Sequence, residues 1–186
     1  HSRFNRESSM FLPGSQVKPG MTTSLASDGM PTQISQKVKD LFKTEIKKWT
    51  GEFEQSYPIY SSKTVGGIQL FNYGKNNQNV ILPKHKVNIH SLEYIDDRII
   101  EKKELEKYLI ENITKVKGDF RQKEILDIWQ KELNKNTQGS FLIFKIKISC
   151  GSGMYVRQLV SDIGKNIGIP LVMFSLKRTK VGEYVV

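Results

Sequence analysis

The stretch "SCGSGMYVRQLVSDIGK", residues 149–165, decides the reading of this chain. Just before it, "FLIFKIKIS" alternates: Phe144, Ile146 and Ile148 take one face and Lys145 and Lys147 the other, the pattern of a strand with one buried side. Val156, Leu159, Val160, Ile163 and Ile167 then recur every three or four residues, which predicts a helix with one face in the core. Gly151 and Gly153 mark the bend between the two elements. The unit is therefore strand, glycine-containing turn, helix and a further strand. Arg157 falls in the first turn of the helix, off its apolar face, where a cation opposes the helix dipole. A negative group is expected beside it.

Working outward, Ile34, Val38, Leu41, Phe42, Ile46 and Trp49 follow helical spacing, with Lys37, Lys39, Lys43, Lys47 and Lys48 on the other side, and Gly51 is a stop. "SYPIYSSKTVGGIQLFNYGKN" follows, extended at Pro58 and turning at Gly66-Gly67. "HKVNIHSLEYI" reads as a strand. Residues 101–135 predict two amphipathic helices joined through "KVKGDFRQ", one turning Leu105, Tyr108 and Leu109 inward, the other Ile125, Ile128, Trp129 and Leu133. Residues 1–33, rich in Ser, Gly, Pro and Thr without a sustained period, read as irregular chain with room for one short strand.

Composition narrows the classes. The chain has 186 residues, enough for one substantial core, and it carries one cysteine, Cys150, which excludes an internal disulfide and argues against a cysteine-based zinc site. His1, His85 and His90 show no metal-ligand spacing, so no metal is expected. No apolar run approaches the roughly 20 residues of a membrane span, and a cytoplasmic protein with no membrane partner is expected. Twenty-nine Lys and Arg against 19 Asp and Glu leave a net charge of +10, which favours a polyanionic partner such as RNA or DNA.

Each candidate site has two readings. "CGSGMYVR" is either a tight turn whose arginine pairs with a surface carboxylate, or a place where glycines allow close approach and Tyr155 and Arg157 reach one pocket. It is not a P-loop, because no Lys-Ser or Lys-Thr follows at the required spacing. Cys150 reads as a small buried residue. Tyr57 and Tyr60 around Pro58 are either a packed corner or an aromatic platform beside Lys63, suited to an unstacked base and a phosphate. "LKRTK", residues 176–180, is a polar strand edge or a phosphate contact.

Four stretches in order resemble the TruB-type tRNA pseudouridine synthases. "SCGSGMYVRQLVSDIGK" is similar to that family's Gly-Thr-Tyr-Ile-Arg block, "YPIYSSKTVGGIQLFNYGK" to its Pro-Pro-x-Tyr-Ser-Ala-x-Lys block, "FSLKRTKVGEY" to its Leu-Arg-Arg-Thr block, and "TTSLASDG" to its Thr-Asp-Thr-x-Asp-x-x-Gly turn. The resemblance implies an α+β fold, a mixed and largely antiparallel sheet with flanking helices. It also implies isomerisation of a uridine in the T-loop of tRNA to pseudouridine, with no cofactor. By the same resemblance Arg157 would pair with the catalytic aspartate, Tyr155 would share that pocket, Leu176 would touch the target base, and Tyr60, Lys63, Lys177 and Arg178 would support RNA binding. The family's Gly-His-x-Gly-Thr-Leu-Asp-Pro block, which bears the aspartate, has no counterpart in residues 1–33, and neither Asp28 nor Asp162 matches its position. The expectation is thus an N-terminal segment, 1–33, left from a missing first half that carries the aspartate. Residues 34–186 would form the family portion, with a helical insertion at about 101–135. The alternative is a non-catalytic RNA-binding module on the same scaffold.

Overall fold

The computed structural model describes residues 4–11, 32–118, 120–135, 139–182 and 184–185. In chain order these form β1 (Phe4–Phe11), α1 (Thr32–Ile46) with a 3-10 turn (Lys47–Trp49), β2 (Gly51–Ser56), β3 (Thr64–Val65), β4 (Ile68–Gln69) and α2 (Leu70–Lys75). Then come β5 (Lys84–Glu101), α3 (Lys102–Thr114), α4 (Gln122–Lys135), β6 (Ser140–Cys150), α5 (Val156–Ile167), β7 (Val172–Val181) and β8 (Tyr184–Val185). Six strands make one sheet in the order β2-β5-β6-β1-β7-β8, and every ladder in it is antiparallel. The expected α+β architecture is therefore present. Among the described residues no helix is long and apolar enough to cross a membrane.

β6 organises the molecule. Leu142, Phe144, Ile146, Ile148 and Cys150 face α1 and α5, and all five are buried. Phe42 of α1 stacks on Phe144 at 4.1 Å between ring centres, and Val156, Leu159, Val160 and Ile163 of α5 complete this layer. Each such side chain, fully buried, contributes about 1.5–3 kcal/mol. On the opposite face Phe141 and Ile143 pack with Ile100 of β5 and with Leu105 and Leu133 at the base of the α3–α4 hairpin. Lys145 and Lys147 continue that second face and are exposed.

The strand expected over 85–95 runs on to Glu101. Register shifts at Ile89/Ser91 and Tyr94/Asp96 break its alternation. Each shift flips the side-chain parity, so Val87 and Ile89, and then Leu92 and Tyr94, all meet the α1–α5 layer. Two helix faces also differ from expectation. Leu41 is exposed because the buried stripe of α1 centres on Phe42 and Ile46, which leaves Leu41 about a hundred degrees round the helix. Ile125 and Ile128 are exposed. α4 instead turns Leu126, Trp129 and Leu133 toward a cavity of about 550 Å³ shared with Leu109 and Ile110 of α3. The spacing of those three, four then three then four residues from Gln122, is the better helical stripe.

The N-terminal segment contributes the eight residues of β1, inserted between β6 and β7. "TTSLASDG" lies outside the described residues.

Three polar connections fix the helices to each other and to the sheet. Glu45, almost wholly buried, accepts hydrogen bonds from Lys48 Nζ (2.8 Å), Trp49 Nε1 (3.1 Å) and Asn166 Nδ2 (2.7 Å), tying α1 to the end of α5. The Lys48 ammonium holds its carboxyl below the usual range, against the opposing push of burial and with help from Asn166 and Trp49. Asp97 of β5 pairs with Lys39 and the Tyr94 hydroxyl. Partial burial pushes its carboxyl up, but Lys39 and Tyr94 outweigh that and hold it low. At the other end of α5, Tyr155 is the N-cap residue, extended at φ −99° with no capping side chain. Gln55 of β2 serves instead: its Oε1 accepts the Tyr155 N–H at 2.8 Å and its Nε2 donates to the Tyr155 carbonyl at 3.1 Å. Gln55 is 1% exposed. Beyond α5, Gly168 takes φ +72° and the chain doubles back. A Cβ at Gly164 would stand 2.8 Å from both Ile169 O and Leu171 N, so only glycine fits there.

Two outcomes follow for stability. Glu45→Ala removes the charged acceptor of the Lys48, Trp49 and Asn166 donors and is expected to lower the unfolding free energy by about 2 kcal/mol in urea titrations. Glu45→Gln, which keeps an acceptor, is expected to cost less. Because the folded carboxyl titrates below its unfolded value near 4.5, its contribution is present above that pH and is lost as pH falls through the lowered folded value. Glu45→Gln should flatten that acid limb. Gln55→Leu, similar in volume, is expected to cost about 2 kcal/mol and to speed amide exchange at Tyr155, since the N–H loses its acceptor while the carbonyl keeps its helical bonds from Gln158 and Leu159.

Candidate functional site

The Gln55 clamp brings the start of α5 against two other segments, the loop after β2 and the first residues of β5. The Tyr57 ring stacks on His85 at 4.1 Å, and Tyr155 meets both edge-on, at 5.8 Å from Tyr57 and 6.2 Å from His85. Lys63 Nζ lies 5.3 Å from the centre of the Tyr57 ring, within cation–π range. His85 Nε2 hydrogen-bonds the Gly153 carbonyl at 3.1 Å, which requires the ring proton on Nε2. His85 Nδ1 and Ser61 Oγ are buried without partners among the described residues. Two orphaned polar atoms mark this corner as one with hydrogen-bonding capacity to spare.

The "CGSG" bend is shaped by backbone. Gly151 N–H donates to Asn88 O at 2.8 Å, so the close neighbour that the glycines suggested is the β5 main chain. Gly153 takes φ +83° beside the His85 ring. Cys150 is buried in the core.

Arg157 is exposed, and its Nη2 donates to the Tyr60 carbonyl at 2.9 Å. Its partner here is a carbonyl dipole rather than a carboxylate, and that bond uses one of five guanidinium N–H groups. The Tyr60 loop is itself held in place. Leu70 N–H donates to Lys63 O (2.8 Å), Phe71 N–H to Ser61 O (3.2 Å), and Tyr73 hydroxyl to Val65 O (3.2 Å). Gly66 and Gly67 make the two-residue β3–β4 turn at φ +57° and +80°, the conformation expected of a tight hairpin. The Tyr60 ring covers Gly74, where a Cβ would stand 3.1 Å from it, yet half of the residue remains exposed.

Tyr60, Lys63, Tyr155 and Arg157 are thus brought together from segments about a hundred residues apart. Leu176, Lys177 and Arg178 are not part of that cluster; they lie exposed in the middle of β7. Register through β1 pairs Leu176 with Ser8 and Ile146, and Arg178 with Arg6 and Ile148, which puts both on the face of α5. Lys177, through Glu7, shares the opposite face with Lys147. Sequence reasoning missed Gln55 and His85. A glutamine inside a strand and a histidine two residues after Pro83 carry no pattern of their own, and only the fold joins them to Tyr155. Among the described residues no three His, Cys, Asp or Glu side chains gather as metal ligands would.

Residues 18–106 match the TruB family pseudouridylate synthase (N terminal domain). The chain is 34% identical over 175 residues to tRNA pseudouridine synthase B of Lactobacillus johnsonii, covering 90% of this chain and 47% of that protein. It is 31% identical over 147 residues to tRNA pseudouridine synthase B of Staphylococcus aureus, covering 79% and 36%. The chain spans about half the length, or less, of these curated relatives. Among solved structures, a Cbf5-Nop10-Gar1 complex aligns over 98% of this chain and 31% of that one, with 14% identity and a TM-score of 0.48. The family match, the relatives and the sequence blocks agree in making this chain similar to the TruB family of pseudouridine synthases.

Proposed function

We propose that this chain is the substrate-holding portion of a tRNA pseudouridine synthase that isomerises a uridine in the T-loop of tRNA. The observation that carries the reading is the bond from Arg157 to the Tyr60 carbonyl, which joins the two blocks most characteristic of the family beside an aromatic corner. In the reaction the bond from ribose C1′ to uracil N1 breaks, the base turns, and C1′ joins C5. The C5 proton leaves and N1 gains one, so the composition is unchanged. The base must leave its stack to react, and the Tyr155 and Tyr57 rings with Lys63 alongside supply an apolar wall and a cation for base and phosphate.

Arg157 orients and keeps ionised the catalytic aspartate, which comes from a segment outside residues 1–186. The fork of the guanidinium suits a carboxylate, and the Tyr60 carbonyl fixes its other side. Leu176 offers an apolar contact to the target base and Arg178 a phosphate contact on the same face. Lys177, across the sheet, meets RNA only from its other side. The protein works in the cytoplasm, where tRNA is modified.

Tritium release from tRNA labelled at uridine C5 tests this directly. Release is expected when the chain is combined with an upstream segment carrying a Gly-Thr-Leu-Asp-Pro-like block, and not from the chain alone. Release by the chain alone would overturn the account of the aspartate. Tight tRNA binding with no release under complementation would support a non-catalytic RNA-binding module instead. In the complete enzyme Arg157→Ala is expected to lower turnover at least about a hundredfold with little change in tRNA affinity, and Arg157→Lys should not restore it, since an ammonium lacks the fork.

A further inference from the structure

The proposed reaction makes no use of the tip of the α3–α4 hairpin, which is built as a rigid platform. Gln122 closes it: Nε2 donates to the carbonyls of Val116 (3.0 Å) and Gly118 (2.6 Å), and Oε1 accepts the Phe120 N–H (2.9 Å). Arg121 sits at φ +61°, with its guanidinium bound to Glu124. The Phe120 ring lies against Gly118, where a Cβ would come within 2.9 Å of it, so the glycine is what lets the ring fold down. Phe120 is nonetheless 59% exposed. One side of the ring is seated and the rest is offered to solvent. Lys115, Lys117 and Lys123, within five residues of Phe120 in the chain, are all exposed.

This tip also reaches the candidate site. The Arg121 guanidinium, bound to Glu124, also interacts with the Tyr60 side chain, which brings the tip beside the Tyr60 loop. An exposed aromatic ring among lysines, next to a site for an unstacked base, has the chemistry of a single-stranded nucleic-acid contact. The ring takes the face of a base and the ammonium groups take phosphates.

We propose that the α3–α4 tip is a second RNA-binding element, in which Phe120 stacks on an unpaired base of the bound RNA and Lys115, Lys117 and Lys123 contact its phosphates. It rests on the reading that the substrate is RNA.

The test is binding of the chain, by fluorescence anisotropy over a range of salt, to a tRNA T-arm hairpin and to a fully paired RNA duplex. Phe120→Ala is expected to weaken hairpin binding about tenfold and to leave duplex binding unchanged, while Phe120→Trp retains it. Lys115→Ala combined with Lys117→Ala is expected to flatten the salt dependence by roughly 1.4 in logarithmic slope, about 0.7 per phosphate contact. Unchanged hairpin binding by Phe120→Ala, or equal loss on hairpin and duplex, would overturn the stacking proposal. If Tyr60→Ala still weakens binding in that case, the assignment of the site stands without the tip. No binding of either RNA by the unmodified chain would overturn both.

Discussion

From Phe141 to Phe144 four consecutive side chains of β6 are buried, two on each face of the sheet. Burial on both sides leaves no room for the strand to slip, because a shift of one residue would exchange the two sets. With that register fixed, α1 and α5 settle on one face and the α3–α4 hairpin on the other. Further along the strand the second face opens into Lys145 and Lys147. The strand ends at Cys150, where the chain turns into α5. The position of Arg157 is therefore set by apolar packing more than ten residues away.

What packing does not set, a few buried polar groups do. Gln55 links an edge strand to the N-terminus of α5 and so decides where Tyr155 stands relative to Tyr57 and His85. Glu45 performs the matching task at the far end of the same helix. Each polar group is surrounded by donors or acceptors that would otherwise be left unmatched, which makes such links specific as well as stabilising. The helix that carries Arg157 is pinned at both ends and packed along its length. That is the rigidity a guanidinium needs if it is to orient another group.

Much of this was legible beforehand, and the exceptions have physical causes. β6 and α5 announce themselves because their periods, two and near 3.6, are unbroken from Phe144 to Ile148 and from Val156 to Ile167. β5 was read too short because two bulges reverse its parity and hide the alternation from any fixed-period template. On α4, Ile125 and Ile128 looked inward by hydrophobicity, yet the stripe through Leu126, Trp129 and Leu133 faces α3. In the site, Tyr60, Lys63, Tyr155 and Arg157 stood out through motif resemblance. Gln55 and His85 act only through partners distant in the chain, as far as a hundred residues for Gln55, and local pattern cannot show such pairings. The Tyr60 carbonyl was likewise invisible as a partner for Arg157, since every residue has a carbonyl.

The placement of β1 bears on how the sheet comes together. Phe4 lies opposite Cys150 on one side and Val181 on the other, so the strand nearest the start of the chain fits between strands from its last third. Until it inserts, β6 and β7 each present an open row of amide and carbonyl groups. The ladder from β6 to β7 and β8 does not exist without it. Assembly of this half of the sheet must thus await the most distant contacts in the molecule, and loop closure over such spans is slow. The β5–β6 ladder, whose strands are joined through the α3–α4 hairpin, is built from nearer neighbours and can form first as the template onto which β1 docks.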